Sequence, residues 1–479
     1  MNTKRNIVTI WAVCALFNST FAQNLQVKNV LFVIIDDLRV QGGVFGQEKM
    51  HTPNIDKLGQ EGLVFKRAYC QVPVCGASRA SFLTGLYPNR QRFTNYRSSH
   101  DQDAPEVSSL PMWFKTNGFT TISLGKVYHH KNDDIDAWSE KPYRANSDNK
   151  YDYNSKENKA MLSKENQKGL AFDKANVSDG AYKDGKMTEK AIETLQELSK
   201  SKKPFFLAIG YQKPHLPFNA PAAYWDLYKK KEINLADNPF PPNGAPIEAI
   251  FKNTDKPDVF NSTELRMWRG IPETGVLSDS TATNLIHGYY ACVSYVDKLL
   301  GDLLSELKRL KLDKTTAVVL IGDHGFHLGE HRFWGKHSLY DRVINVPLII
   351  KVPGKATNIK TAAITEYVDL YPTLCELTGL DFPEHLQGKS LVPVLNDPST
   401  NHKKQAFSRF GNGESIITEK YMYTEYFGKD GKVISKMLTD LEKDPKQNEN
   451  IIWQHEGSKI LEELKSSLAK YQKLHITKK

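Results

Sequence analysis

The 479-residue sequence predicts an α/β protein. It should have a large mixed, mainly parallel sheet flanked by helices, and a smaller C-terminal α+β subdomain carrying an antiparallel sheet. Three observations support this. Short, nearly continuous apolar runs recur along most of the chain, the pattern of strands buried on both faces. Segments with helical apolar spacing stand between them. After about Asn396 the pattern changes to closely spaced strands around turn signals.

Taken in order, the first run is Asn29–Ile35 (NVLFVII), followed by Phe119–Leu124, Pro204–Ile209 and Ala317–Ile321, with Pro347–Val352 as a fifth parallel strand. Ala77–Thr84 reads as a short helix closed by Gly85. Tyr290–Leu310 carries Val293, Val296, Leu300, Leu303, Leu307 and Leu310 on one helical stripe. Asp369–Thr378 is a further helix, with Pro372 in its first turn and Gly379 beyond its end. Residues 131–187, rich in Asn, Lys, Asp, Ser and Tyr, and residues 234–262, which carry many prolines, read as long surface insertions. Strands are expected at Ser415–Thr418, Tyr421–Tyr426 and Val433–Thr439, with a terminal helix around Ser458–Tyr471.

Hydrophobic residues make up 40% of the chain and charged residues 25%, which excludes a disordered or membrane-embedded protein. Five cysteines are too few for a disulfide scaffold of this length. The start resembles an export signal: Lys4 and Arg5, an apolar stretch over Ile7–Phe17, and Thr20-Phe21-Ala22 as the cleavage site. The division expected is a signal peptide over 1–22, a catalytic domain over 23–395 and a C-terminal subdomain over 396–479, in a periplasmic or secreted protein with no membrane span once matured. Removing Lys4 and Arg5, and no acid, takes the net charge from +9 to +7, a surplus suited to an anionic partner. In an oxidising compartment Cys70 and Cys75 have the option of a disulfide.

In open α/β sheets, ligands bind beyond the carboxyl ends of the strands. The first run ends in Asp36-Asp37, the second in Gly125-Lys126 with His129 close by, the third leads to His215, and the fourth to Asp323-His324. Mixed acids and bases at four strand ends point to one shared site. Asp36, Asp37 and Asp323 together would repel one another unless a cation neutralised them, and hard oxygen donors favour Ca²⁺ or Mg²⁺. A plainer reading has Asp37 capping a turn or pairing with Arg39. His324, His327 and His331 offer a rival zinc pattern, although the H-E-x-x-H arrangement is missing. Cys75 opens the Ala77–Thr84 helix, where the positive end of the dipole and Arg79 would stabilise an anion; the alternative is a buried structural cysteine.

Cys75-x-Ala77-x-Arg79, followed by Ser81-Phe82-Leu83-Thr84-Gly85, resembles the signature of type I sulfatases of the alkaline phosphatase superfamily. The marks Asp36-Asp37-Leu38-Arg39, Gly125-Lys126-Val127-Tyr128-His129, Lys213-Pro214-His215 and Asp323-His324-Gly325 resemble its iduronate-2-sulfatase branch. The resemblance implies the alkaline-phosphatase-like sulfatase fold, with Cys75 oxidised to formylglycine (3-oxoalanine) by a formylglycine-generating or anaerobic maturase enzyme. One divalent cation, Ca²⁺, would be held by Asp36, Asp37, residue 75, Asp323 and His324. It further implies His215 as general acid, His129 as the base that releases sulfate, Lys126 and Lys336 on sulfate oxygens, and Arg79 as anchor of residue 75. Asn95, Tyr96, Arg97, Trp334 and His337 are candidate sugar contacts. The expected partner is a sulfated oligo- or polysaccharide and not a nucleic acid, most specifically a 2-O-sulfated uronic acid of a glycosaminoglycan or an algal polysaccharide such as ulvan. The competing readings are a phosphodiesterase or phosphatase of the same superfamily, and a non-catalytic sulfated-glycan-binding protein.

Overall fold

The structure, a computed structural model, describes residues 27–46, 50–162, 169–250, 262, 264–272, 275–355 and 357–476. The predicted export segment lies outside the described residues. Seven strands form the main sheet: β1 (Asn29–Ile35), β2 (Leu63–Phe65), β3 (Thr120–Gly125), β4 (Phe205–Tyr211), β5 (Thr316–Gly322), β6 (Leu348–Lys351) and β7 (Ile359–Thr361). Their spatial order is β7-β2-β6-β5-β1-β4-β3. β3, β4, β1 and β5 run parallel.

One expectation is corrected here. β6 is not a parallel strand; it runs antiparallel to both β5 and β2. A parallel partner would need a crossover to the other end of the sheet. The chain after β5 instead stays at the carboxyl edge and turns straight back.

The helices that matter are α1 (Cys75–Thr84), α2 (Lys183–Leu198), α3 (Asp279–Arg309), α4 (Leu370–Thr378) and α5 (Lys459–Tyr471). Alternation along β1 divides the interior in two. Leu31, Val33 and Ile35 pack with Leu195 of α2 and Val296, Leu300 and Leu303 of α3. Val30, Phe32 and Ile34 pack with Phe82 and Leu83 of α1 and Leu374 of α4. Burial on both faces explains why these strands read as unbroken apolar runs. α3 begins well before the predicted Tyr290, where Ser278 caps it by accepting from Thr281 N.

Residues 131–187 are not a purely superficial insertion. Tyr153 and Tyr182 are buried, and Phe172–Ala175 pairs in parallel with Phe218–Pro221. The polar composition is spent internally: the Asp173 carboxylate accepts from Asn154 N, Asn158 Nδ2 and Tyr182 Oη.

The C-terminal sheet has four antiparallel strands: β8 (Gln405–Phe410), β9 (Gly413–Thr418), β10 (Tyr421–Phe427) and β11 (Val433–Asp440). β8 is additional to the three expected. Leu461, Leu464 and Leu468 of α5 pack on Phe407, Ile416, Tyr423 and Leu438. Among the described residues, no helix is long and apolar enough to cross a membrane.

Candidate active site

The strand register builds the site. Ile35 of β1 lies beside Tyr211 of β4 and Gly322 of β5, and Gly125 of β3 lies beside Gly210. The four strands therefore end level, and Asp36, Lys126, the segment after Tyr211, and Asp323 follow at one edge. The turn into Lys126 depends on glycine: Gly125 has φ +76°, and a Cβ there would come within 2.2 Å of Gly210 O.

α1 points its first turn at this edge. It starts at Cys75, two residues before the predicted start, so residue 75 sits at the positive end of the helix. Gly76 permits close approach, because a Cβ there would lie 2.3 Å from Tyr96 O. Ser78 Oγ donates to Asp323 O at 2.6 Å, fixing the helix to the end of β5.

Arg79 is fully buried. Its Nε is 2.9 Å from Asp323 Oδ2 and its Nη2 3.3 Å from Asp36 Oδ1, while Nη1 donates to the carbonyls of Lys126 and Val127. The guanidinium is thus committed to the carboxylates and the β3 turn.

Ligand atoms of Asp36, Cys75, Asp323 and His324 all lie within 4.8 Å of one another, every one of these residues buried. Lys126 Nζ is ion-paired with Asp36 Oδ2. Asp37, held at φ +62°, donates its backbone N–H to Asp323 Oδ1 at 3.0 Å. Its carboxylate is 3.0 Å from Lys336 Nζ and 3.4 Å from His324 Nδ1. The alternative pairing of Asp37 with Arg39 does not hold, since Arg39 pairs with Glu330 at 2.6 Å. Burial and the neighbouring Asp36 push the Asp323 carboxyl up to about 7. Asp37 stands outside that close group, its carboxylate turned to Lys336 and His324; ionising Asp323 beside Asp36 calls for added positive charge, and their oxygens suit a hard divalent cation.

Burial and Asp36 oppose ionisation of the Cys75 thiol. Lys126, Lys336 and His324 outweigh them and hold it well below the ordinary thiol range. His324 Nε2 lies 3.2 Å from Cys75 Sγ, and burial holds the nearby His129 ring below the usual imidazole range, against the pull of Cys75. Cys70 and Cys75 are both unpaired, so the optional disulfide is absent.

His215 has acceptors at both ring nitrogens: Leu216 O at 2.7 Å from Nδ1 and Glu264 Oε1 at 2.9 Å from Nε2. That arrangement suits the imidazolium. Burial and Lys336 work against protonation, yet Glu264 and Asp37 carry the ring up to about 10. The His215 loop is clamped twice. Asp184 of α2 accepts from Gln212 N and Lys213 N, and the buried Lys213 ammonium donates to His215 O at 3.0 Å and Pro217 O at 2.7 Å.

Glu264 was not anticipated from sequence. Its other oxygen is 3.2 Å from Lys336 Nζ, so one carboxylate joins two predicted functional cations. Arg144 was also missed. It donates to the carbonyls of Tyr128 and His129 and fixes the His129 backbone. Neither sits in a motif: Arg144 is one charge inside the polar 131–187 insertion, and Glu264 lies just beyond the 234–262 insertion.

The outer residues divide. Asn95, Tyr96 and Arg97 form a rim over α1, with Tyr96 53% exposed and its ring 6.3 Å from that of His129. His337 stacks on Phe410 beside Lys336, and burial with the Lys336 charge lowers it to about 4. Trp334, by contrast, is 6% exposed and packed in the core, which removes it as a sugar contact. The zinc pattern also disperses: His327 Nε2 meets Ser338 Oγ at 2.9 Å, and His331 Nε2 meets Lys446 O at 2.8 Å.

Comparison with known proteins agrees with this geometry. A sulfatase family model matches residues 28–380, and a model of the N-sulphoglucosamine sulphohydrolase C-terminal region matches residues 329–474. The chain is 34% identical over 406 residues to iduronate 2-sulfatase of Homo sapiens, covering 78% of this chain and 73% of that protein. A solved structure described as a 2-O GAG sulfatase has a TM-score of 0.71 at 22% identity, covering 94% of this chain and 92% of that one. A phosphonate monoester hydrolase from Silicibacter pomeroyi has a TM-score of 0.75 at 20% identity, covering 94% and 96%, so the fold is shared beyond sulfate esters. With the family match spanning most of the sequence and the Cys75 helix seated against the aspartate cluster, the chain belongs to the sulfatase family, as a type I sulfatase of the alkaline phosphatase superfamily that hydrolyses sulfuric esters.

Proposed function

We propose that this protein is an exported, formylglycine-dependent sulfatase that removes the 2-O-sulfate from a uronic acid residue of a sulfated glycosaminoglycan or of an algal polysaccharide such as ulvan. The observation that carries the reading is Cys75 at the head of α1, its sulfur within 4.8 Å of ligand atoms of Asp36, Asp323 and His324. The 34% identity to human iduronate 2-sulfatase supports the uronate, and the Arg97 rim suits an anionic sugar. Residues 23–395 would form the catalytic domain and 396–479 the C-terminal subdomain, after cleavage at Ala22.

Asp36, Asp37, Asp323 and His324 are the residues that would hold Ca²⁺, with residue 75 facing it. Bound there, the cation would supply positive charge to the sulfate oxygens and lower the pKa of a nearby hydroxyl. Cys75, oxidised by its maturase to formylglycine, would supply two hydroxyls on one carbon when hydrated, one to attack sulfur and one to allow release.

The chain's own residues do the rest. Lys126 and Lys336 hold sulfate oxygens as they gain charge. His215, an imidazolium in its free state, protonates the departing sugar oxygen. His129, kept neutral by burial, takes the proton that lets sulfate go. Arg79 keeps Asp36 and Asp323 in place against residue 75.

The test is sulfate release from a panel of defined sulfated sugars, with and without chelator, using protein coexpressed with a formylglycine-generating enzyme. Mass spectrometry of the residue-75 peptide should show aldehyde or hydrate. Turnover confined to phosphate esters would overturn the reading, and turnover only on a non-uronate sugar would overturn the substrate assignment. Binding of sulfated glycan that is unchanged in Cys75→Ser, with no wild-type sulfate release, would favour a non-catalytic binder.

A further inference from the structure

The Glu264 carboxylate occupies a place that the reaction needs. Both ring nitrogens of His215 face acceptors: Nδ1 is tied to the carbonyl of the next residue, and Nε2 points at Glu264 Oε1, 2.9 Å away. A departing oxygen can receive a proton from Nε2 only by entering where that carboxylate oxygen now stands. The second carboxylate oxygen rests 3.2 Å from Lys336 Nζ, on the side assigned to sulfate. Glu264 therefore lies beside the ester bond, between the proton donor and the sulfate holder.

On its C-terminal side the chain is anchored. Leu265 is 1% exposed and donates its N–H to Ser262 Oγ, and the Trp268 ring packs 5.0 Å from that of Tyr151. The side chain must rotate while its Cα stays. Displaced from Nε2 by the ester oxygen, the carboxylate remains next to the leaving group and lacks one hydrogen bond. The donor a substrate can place there is a hydroxyl on the adjacent carbon, because oxygens on neighbouring carbons lie within hydrogen-bond distance of one another. A second sulfate or a carboxylate at that carbon would instead meet a partly buried negative charge, with Lys336 already engaged by Asp37 and sulfate.

We propose that Glu264 is a specificity-determining residue: it accepts a hydrogen bond from a free hydroxyl vicinal to the scissile sulfate ester and disfavours a second anionic group there. The inference rests on the roles of His215 and Lys336 given above.

The probes are catechol monosulfate, which carries a vicinal hydroxyl, phenyl sulfate, which does not, and catechol disulfate. Sulfate release gives kcat/KM for each with the wild-type enzyme, Glu264→Gln and Glu264→Ala. Comparing ratios between enzymes cancels intrinsic leaving-group differences. The monosulfate-to-phenyl ratio should fall about 10- to 100-fold in Glu264→Ala, the range for a hydrogen bond to a charged group, and by less in Glu264→Gln, which keeps an acceptor. The disulfate should gain on the monosulfate in both variants. Should the wild type turn over sulfated sugars but no aryl sulfate, the same three compounds are read as competitive inhibitors, with the same ratios expected. Unchanged ratios in a variant with wild-type melting temperature overturn the proposal, as does an equal loss on all probes, which would assign Glu264 to orienting His215 alone. Absence of sulfate release from any ester overturns the functional reading, and this inference with it.

Discussion

Replacing Arg79 by lysine tests what holds the site together. The guanidinium meets four acceptors at once: Asp323 Oδ2, Asp36 Oδ1 and the carbonyls of Lys126 and Val127. A lysine ammonium keeps the charge but offers a single point rather than a planar fork. It can satisfy about two of the four, and each lost charge-assisted bond costs about 1.5–3 kcal/mol. The expected destabilisation is therefore about 3–6 kcal/mol, similar to the ~3–5 kcal/mol found when a buried ion pair loses one partner. Arg79→Met removes the charge as well and should cost at least as much. Urea unfolding of cation-free protein measures the loss, as the change in midpoint scaled by the slope. Adding Ca²⁺ should restore part of it, because a ligand that binds only the folded state stabilises that state. A loss below about 1 kcal/mol in both variants would refute the view that Arg79 restrains the buried carboxylates.

Lys126→Ala should lower kcat by about 10²- to 10³-fold, the usual effect of removing one fixed donor to a developing anion; a loss under tenfold would place Lys126 outside the reaction. His215 must carry its proton to act as an acid, and burial and Lys336 are outweighed by Glu264 and Asp37, which raise it to about 10. Its activity is thus present at neutral pH and lost as pH rises through about 10, with the stability it contributes lost over the same rise from about 6.5. The basic limb of kcat/KM should move to lower pH in Glu264→Gln, and a wild-type limb near 6.5 would contradict the pairing. Lys403, just before β8, lies 2.7 Å from Glu366 and 2.6 Å from Asp369, the residues leading into α4. Lys403→Met should cost about 3–5 kcal/mol in urea unfolding while leaving kcat of the folded enzyme within about twofold; unchanged stability would show that these buried acids find other partners.

What the sequence revealed and what it hid divide along a physical line. Asp36, Lys126 and Asp323 each follow directly on a strand, and the hydrogen-bond ladder fixes where a strand ends relative to its neighbours. An apolar run followed by a charge therefore reports position as well as residue type. Cys75 was legible for the same kind of reason, since a helix start fixes direction. The direction of β6 was hidden because Pro347–Val352 has the composition of any buried strand, and only the path of the preceding loop sets its sense. Trp334 misled because an aromatic beside a functional lysine reads as a sugar platform; Gly335, at φ +134°, turns the chain between them, so Lys336 reaches Asp37 while the indole packs in the core. Glu264 shows the limit most clearly. It comes from an aperiodic segment and reaches His215 through side-chain contact, a relation that no local pattern encodes. Under the proposed mechanism, strand ends set the charges that would face sulfate, whereas the segments between elements would supply the groups around the leaving sugar. Reaction class was therefore readable from short motifs, and substrate choice has to be sought in residues such as Glu264 that only the folded chain brings in.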